Sequence, residues 1–275
     1  MDGHQTRRQP DPVRLPVRPD QVPRGTSISS RYAYLLDLDE DLAARFDMNL
    51  RVAARSAVTA RVCGLPAGEF DLEPLFAQVA GGLGLLIVAG VIELDTEVGG
   101  RTASELVGEG DLLCPWQTGG DVVFFTRKRV SSALVPVRIA VLDKEFARRM
   151  RPWSQITGAL VQRGVRRAMA LNVQRAATCH PRADVRVALL LWQLAERWGT
   201  VQPDGIHLSL PLTHRLIGRL VGAERPSVSH ALARLGRADL VSREPHELVL
   251  HGTADHHLSH LLERPAERAR VARLQ

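Results

Sequence analysis

Between residues 210 and 241 the apolar positions fall into two short helical periods separated by a glycine. The first puts Leu216, Ile217, Leu220 and Val221 on one face of a helix that opens after Thr213, whose hydroxyl suits an N-cap. Gly222 follows, where a residue without a β-carbon takes the left-handed conformation that stops the helix and turns the chain. The second period carries Val228, Ala231, Leu232 and Leu235, and the small Gly218 and Ala231 let the two helices cross closely. Turning Val228, Leu232 and Leu235 inward leaves Pro226, Ser229, His230 and Ala233 outside, with Arg225 at the amino-terminal end. Two ordinary amphipathic helices of an all-helical domain are the competing reading. After the second helix, however, residues 239–242 and 247–250 read as two short strands around a turn, which makes a winged helix-turn-helix, a DNA-reading unit.

Upstream the pattern changes period. Residues 35–57 place Leu38, Leu42, Phe46 and Leu50 at helical spacing. Runs rich in Val, Leu and Ile at 58–62, 83–89, 91–97, 104–107, 122–126 and 132–142 then predict strands, separated by glycine-bearing turns at 64–68, 99–100, 108–111 and 119–120. Many short strands at this spacing indicate a sandwich or barrel. Residues 150–179 carry Trp153, Ile156, Leu160, Val161, Val165, Ala168 and Leu171 between arginine-rich faces and predict one extended helix, whose Gly158, Ala159 and Gly164 permit close approach of a partner. A second amphipathic helix at 181–199 and a short strand at 206–212 lead to the reading head. The expected organisation is therefore a disordered arm (1–34), a β-domain (35–149), a long helix (150–180), the head (181–252) and a frayed tail (253–275).

Residues 210–252 resemble the DNA-binding domain of the CRP/FNR family of bacterial transcription regulators. The match rests on Leu212-Thr213, Ile217-Gly218, Val221-Gly222, Arg225, Ser227-Val228, His230, Leu232, Leu235 and Leu240-Val241 at fixed spacing. The resemblance implies an α+β fold: an N-terminal cyclic-nucleotide-binding-like jelly-roll β-barrel, a long dimerisation helix and a C-terminal winged helix-turn-helix. It also implies a homodimer that reads near-palindromic double-stranded DNA with recognition helices about 34 Å apart, and RNA polymerase as a further partner. The family's base readers fall on Arg225, Pro226 and His230; the last two depart from its usual arginine, glutamate, arginine set, so its best-known operator is not expected here. Arg225 suits guanine O6 and N7. Ser227, Arg234 and His214 suit phosphates, and Ser229 and Thr213 complete the candidate DNA-binding set.

The turn at 108–113 resembles the one preceding the family's phosphate-binding cassette, but residues 114–121 hold neither the glutamate nor the arginine-serine pair of that cassette. Arg127, Lys128, Arg129 and Ser131 read first as a strand end or solvated turn. A small-molecule effector other than cyclic AMP is expected, the alternative being a ligand-independent DNA-binding and oligomerisation scaffold.

The chain has 275 residues and a formal net charge of +6, which suits a polyanionic partner, although arginine bias can equally reflect genome composition. Cys63, Cys114 and Cys179 lack the spacing of a zinc or iron–sulfur site, and His256, His257 and His260 have no acidic or thiolate partner, so no cofactor or metal is expected. The pairs Gly82-x-Gly84 and Gly108-x-Gly110 lack a third glycine, and no catalytic triad, His-Glu-x-x-His or phosphate loop is present, so an enzyme is not expected. The start is polar rather than signal-like, and the apolar run 83–89 is far shorter than the ~20 residues of a membrane span. A cytoplasmic protein without membrane contact is the expectation.

Overall fold

A computed structural model of the chain describes residues 29–113, 128–245 and 247–262. In order, the first domain comprises β1 (Ser29–Tyr34), a 3-10 turn (Leu35–Asp37), α1 (Glu40–Ala43), α2 (Met48–Arg55), β2 (Thr59–Leu65), β3 (Gly68–Phe70) and α3 (Glu73–Gln78). It continues with β4 (Gly84–Ala89), β5 (Val91–Val98), β6 (Arg101–Gly108), β7 (Leu112–Leu113), β8 (Lys128–Ala133), β9 (Val137–Leu142) and α4 (Lys144–Arg149). The strands form two sheets, ordered β1-β2-β9-β4-β7 and β3-β8-β5-β6, a double-sheet jelly roll rather than one closed barrel.

Strand β4 shows why its sequence is an unbroken apolar run. Leu85 and Ile87 point between the sheets with Cys63, Ile92, Val107 and Ile139, while Leu86 and Val88 point outward under the α1–α2 helices, Phe146 and Ile156. Both faces are buried, so no position is left for a polar residue. The hairpin β5–β6 turns through Gly99 and Gly100 at φ 58° and 74°, with Val98 opposite Arg101, the two-residue turn that the glycine pair predicts.

Several expectations are corrected. The single helix over 35–57 is broken into the 3-10 turn, α1 and α2, because Asp39 and Asp47 each accept from a backbone amide three residues on (3.0 and 2.8 Å) and start a new helix. Residues 29–34 of the expected arm pair with β2 as an edge strand; residues 1–28 lie outside the described set, as do the strand expected at 122–126 and the cassette segment at 114–127. The run 132–142 divides at Pro136 into β8 and β9.

Helix α5 (Ser154–Thr178) follows, with only its first half buried against the β-domain through Ile156, Ala159, Leu160 and Arg163. Arg163 makes a bidentate pair with Asp39 at 2.5 and 2.6 Å, both side chains buried. The second domain, or head, comprises α6 (Ala183–Trp198), β10 (Thr200–Gln202), β11 (Gly205–Leu208), α7 (His214–Val221), α8 (Arg225–Arg237), β12 (Val241–Arg243), β13 (Leu248–Leu250) and α9 (Ala254–Leu262). Its sheet is ordered β10-β11-β13-β12. The expected frayed tail is thus helical over 254–262: His257 and Leu261 are buried, and the His257 ring lies edge-on to Trp192 at 5.0 Å. Among the described residues no helix is long and apolar enough to cross a membrane.

Candidate nucleic-acid interface

The head is built as its apolar periodicity requires. Thr213 Oγ1 accepts from the Leu216 amide at 3.1 Å, and Gly222 ends α7 in the left-handed region at φ 62°. Gly218 is needed for the turn rather than for helix crossing, since a β-carbon there would come within 2.5 Å of the Ala223 carbonyl oxygen. Helix α8 buries Val228, Ala231 and Leu235 against α6 and α7, with Leu232 half-buried beside them. Its other face leaves Arg225, Pro226, Ser227, His230 and Ala233 exposed.

Not every predicted site residue shares that face. Ser229 is half-buried: its hydroxyl donates to the Arg225 carbonyl at 3.1 Å and lies 2.8 Å from His214 Nδ1. On the other side of the ring, His214 Nε2 is 2.8 Å from an Arg243 guanidinium nitrogen on β12. Since arginine only donates, Nε2 is the acceptor and Nδ1 carries the proton that Ser229 receives. Burial first, then the charges of Arg243 and Arg225, hold this imidazole below its ordinary pKa, in keeping with the neutral tautomer. His214 therefore ties β12 to the amino-terminal turn of α8.

Arg234 is turned toward α6 and meets the buried Asp184 at 3.1 Å, where Arg182 also binds at 2.8 Å. Burial opposes ionisation of Asp184, but these two guanidinium groups outweigh it and keep the carboxyl below its ordinary pKa. Thr213 serves as the cap described above. The structure thus groups Arg225, Pro226, Ser227 and His230 on one exposed face and gives Thr213, His214, Ser229 and Arg234 partners inside the head.

Sequence reasoning missed the joint between the two domains. Arg219 of α7 reaches the hairpin β5–β6: it pairs with Glu93, approaches Asp95 at 3.6 Å and donates to Ser104 Oγ at 3.1 Å. Gln174 of α5 donates to the backbone carbonyls of Ser104 (3.2 Å) and Leu220 (3.0 Å), strapping hairpin to head. Arg167 forks onto Glu105 at 2.7 Å through both contacts, and Arg197 binds Asp111 at 2.6 Å. Burial, with the neighbouring Asp95 charge, pushes the Glu93 carboxyl above its ordinary pKa against the pull of Arg219. The signal was present: Glu93 and Asp95 occupy alternate positions of β5 around the apolar Leu94, so both side chains leave the same face and require a cation there. Among the described residues no cluster of three or more metal-binding side chains occurs.

Comparison with known proteins agrees with this geometry. Residues 185–253 match the model of the Crp-like helix-turn-helix domain. A CRP-like cAMP-activated global transcriptional regulator of Mycobacterium tuberculosis is 28% identical over 156 residues, covering 54% of this chain and 66% of that protein. The chain therefore spans just under two thirds of that relative's length. A putative HTH-type transcriptional regulator of Porphyra purpurea is 26% identical over 72 residues, 26% of this chain and 30% of that one. Among solved structures, a cyclic nucleotide-binding domain containing protein from Listeria monocytogenes EGD-e superposes with a TM-score of 0.57 at 14% identity, covering 68% of this chain and 87% of that one. The c-di-GMP responsive global regulator CLP of Xanthomonas campestris gives 0.53 at 16% identity, covering 78% and 100%. At these identities the structures speak for the fold.

Proposed function

We propose that the chain, whose residues 185–253 match the Crp-like helix-turn-helix domain, is a regulator of the CRP/FNR type that acts as a homodimer reading a near-palindromic DNA site under the control of an effector. The observation that carries this reading is the exposed outer face of α8, where Arg225, Pro226, Ser227 and His230 project from a helix fixed from behind by Val228, Ala231 and Leu235. Arg225 stands at the first turn, where its fork suits guanine O6 and N7, a pairing worth about 1–3 kcal/mol of discrimination. Ser227 faces the phosphates, and His230, one turn further on, replaces the second base-reading cation of the family.

Two features support dimerisation and control. The outward face of α5 exposes Val161, Val165, Met169 and Val173, a set of apolar side chains that a second copy would cover. Val161 and Val165 also line a mainly apolar cavity of about 380 Å³ between Leu83 and Leu112 of the β-domain and Leu160, Ala168 and Leu171 of α5. An effector seated there would touch both the β-domain and the dimer helix, and would shift the head only by binding one arrangement better than the other. The cavity favours an apolar ligand over a cyclic phosphate. RNA polymerase is the downstream partner in this reading, and the cell interior its place of action.

The test begins with selection of bound duplexes from a random pool using the full-length protein. A paired, inverted motif is expected, and Arg225→Ala is expected to lose preference at one base of each half-site by a factor of roughly 5–150. Recovery of no motif, or unchanged preference in the variant, would contradict the assignment.

A further inference from the structure

The hairpin β5–β6 reaches past the body of its own domain to the amino-terminal end of the recognition helix. Arg101, directly after the glycine turn, lies 3.7 Å from Glu224, the residue that immediately precedes Arg225. Both side chains are more than 80% exposed, so this pair does not fix the hairpin. What fixes it lies deeper, in the contacts of Arg219 with Glu93 and Ser104 and in the two carbonyls held by Gln174. The tip is thus carried rigidly beside the reading helix.

Between hairpin and head runs an open groove of about 1290 Å³, on whose walls stand Arg101, Arg175, Arg215 and Arg225, drawn from β6, α5, α7 and α8 and all exposed. Of these four only Arg101 has a carboxylate within ion-pair distance among the described residues; Arg219, which also lines the groove, is taken up by Glu93 and Asp95, and the groove's other acid, Glu105, is held by Arg167. Four guanidinium groups spread along an open channel match the repeated charges of a phosphodiester chain better than one compact anion. Glu224 alone conflicts with such a ligand. A carboxylate next to the base reader would repel the strand flanking the entered groove, and Arg101 neutralises it.

We propose that this groove receives the phosphate backbone of one DNA strand, making Arg101 of the sensor-side hairpin a DNA contact, so that the interface with the duplex spans both domains. The proposal rests on the DNA-binding reading above and adds a surface that the helix-turn-helix does not contain. It also means that backbone affinity depends on how the β-domain and head are docked.

The experiment measures affinity of the full-length protein for its selected duplex over a series of salt concentrations, in the wild type, Arg101→Ala, Glu224→Ala and the double variant. Arg101→Ala is expected to weaken binding roughly tenfold for every sequence and to flatten the slope of log K against log[salt] by about 2 per dimer, one lost phosphate contact in each half. Glu224→Ala in that background should restore part of the loss. Unchanged affinity and slope in Arg101→Ala would overturn the proposal, and so would tighter binding, which would mean that the hairpin competes with DNA. Displacement by Arg101→Ala of a bound trinucleotide or pyrophosphate, without effect on duplex binding, would equally overturn it in favour of a small anion. If the wild type itself bound no duplex, the helix-turn-helix reading would fail first. An unchanged melting temperature in Arg101→Ala, expected from its exposure, keeps a folding defect from imitating the result.

Discussion

At the scale of the residue, the head is held together by an imidazole with no free nitrogen. His207 Nδ1 lies 2.8 Å from Glu247 and Nε2 lies 2.9 Å from Asp204. Both contacts are hydrogen bonds only when both nitrogens carry protons, so Glu247 first and Asp204 second raise this histidine above its ordinary pKa of 6.5. Its contribution to stability is complete below pH 6.5 and is lost as pH rises through the higher folded-state value. The two carboxyls are lowered, chiefly by their hydrogen bonds to His207, so their share is present above their ordinary values and fades only in acid. Melting curves of wild type and His207→Gln are therefore expected to differ most near pH 5.5–6.5 and to converge toward pH 9; a difference independent of pH would rule out the charged imidazole. Such contacts were not legible beforehand. Thr213 and Gly222 announce themselves because a cap and a left-handed turn are local demands, whereas His214 meets Arg243 across 29 residues and Ser229 across 15, partners that only the folded chain selects.

At the scale of the element, periodicity was informative wherever one face of a helix or both faces of a strand are buried, and misleading where a short polar side chain interrupted it. Residues 35–57 keep helical spacing of apolar groups through Phe46, yet Asp39 and Asp47 divide them, because a cap hydrogen bond competes with continuing the helix. Helix α5 is the converse case: its pattern extends beyond what the protomer covers. Val161, Val165, Met169 and Val173 recur at intervals of four on an exposed stripe, the spacing that lines side chains along one helix face. On the dimer proposed above, Val165 lies within that stripe and is half exposed in the protomer. Val165→Glu is expected to place two carboxylates against each other and shift the protein to a monomer in sedimentation, with helix content retained and site-specific DNA affinity reduced by at least tenfold, about 1.4 kcal/mol. A dimer that survives this substitution would move the interface elsewhere.

At the scale of the whole molecule, the two domains are joined by more than the connection between α5 and α6. Arg219 enters the β-domain from the head and is three-quarters buried, and Glu93 beneath it is 8% exposed. Removing one partner of a largely buried pair leaves the other charged and unsolvated, at a cost of about 3 kcal/mol or more. Arg219→Ala should leave Glu93 and Asp95 side by side without a cation, able to settle only by sharing a proton. Ser104 donates to Asp95 at 2.5 Å and cannot replace the lost charge. The hairpin and α7 should then separate as a unit, so amide protection over β6 and α7 is expected to fall together, while α8 keeps its packing on α6. Glu93→Gln provides the contrast, because it retains an acceptor for Arg219 and abolishes the burial of a second carboxylate, two effects that oppose each other and should leave stability within about 1 kcal/mol of wild type. Loss of protection confined to α7, with the hairpin unaffected in Arg219→Ala, would mean that Gln174 and the apolar contact of Leu106 with the head suffice to dock the domains.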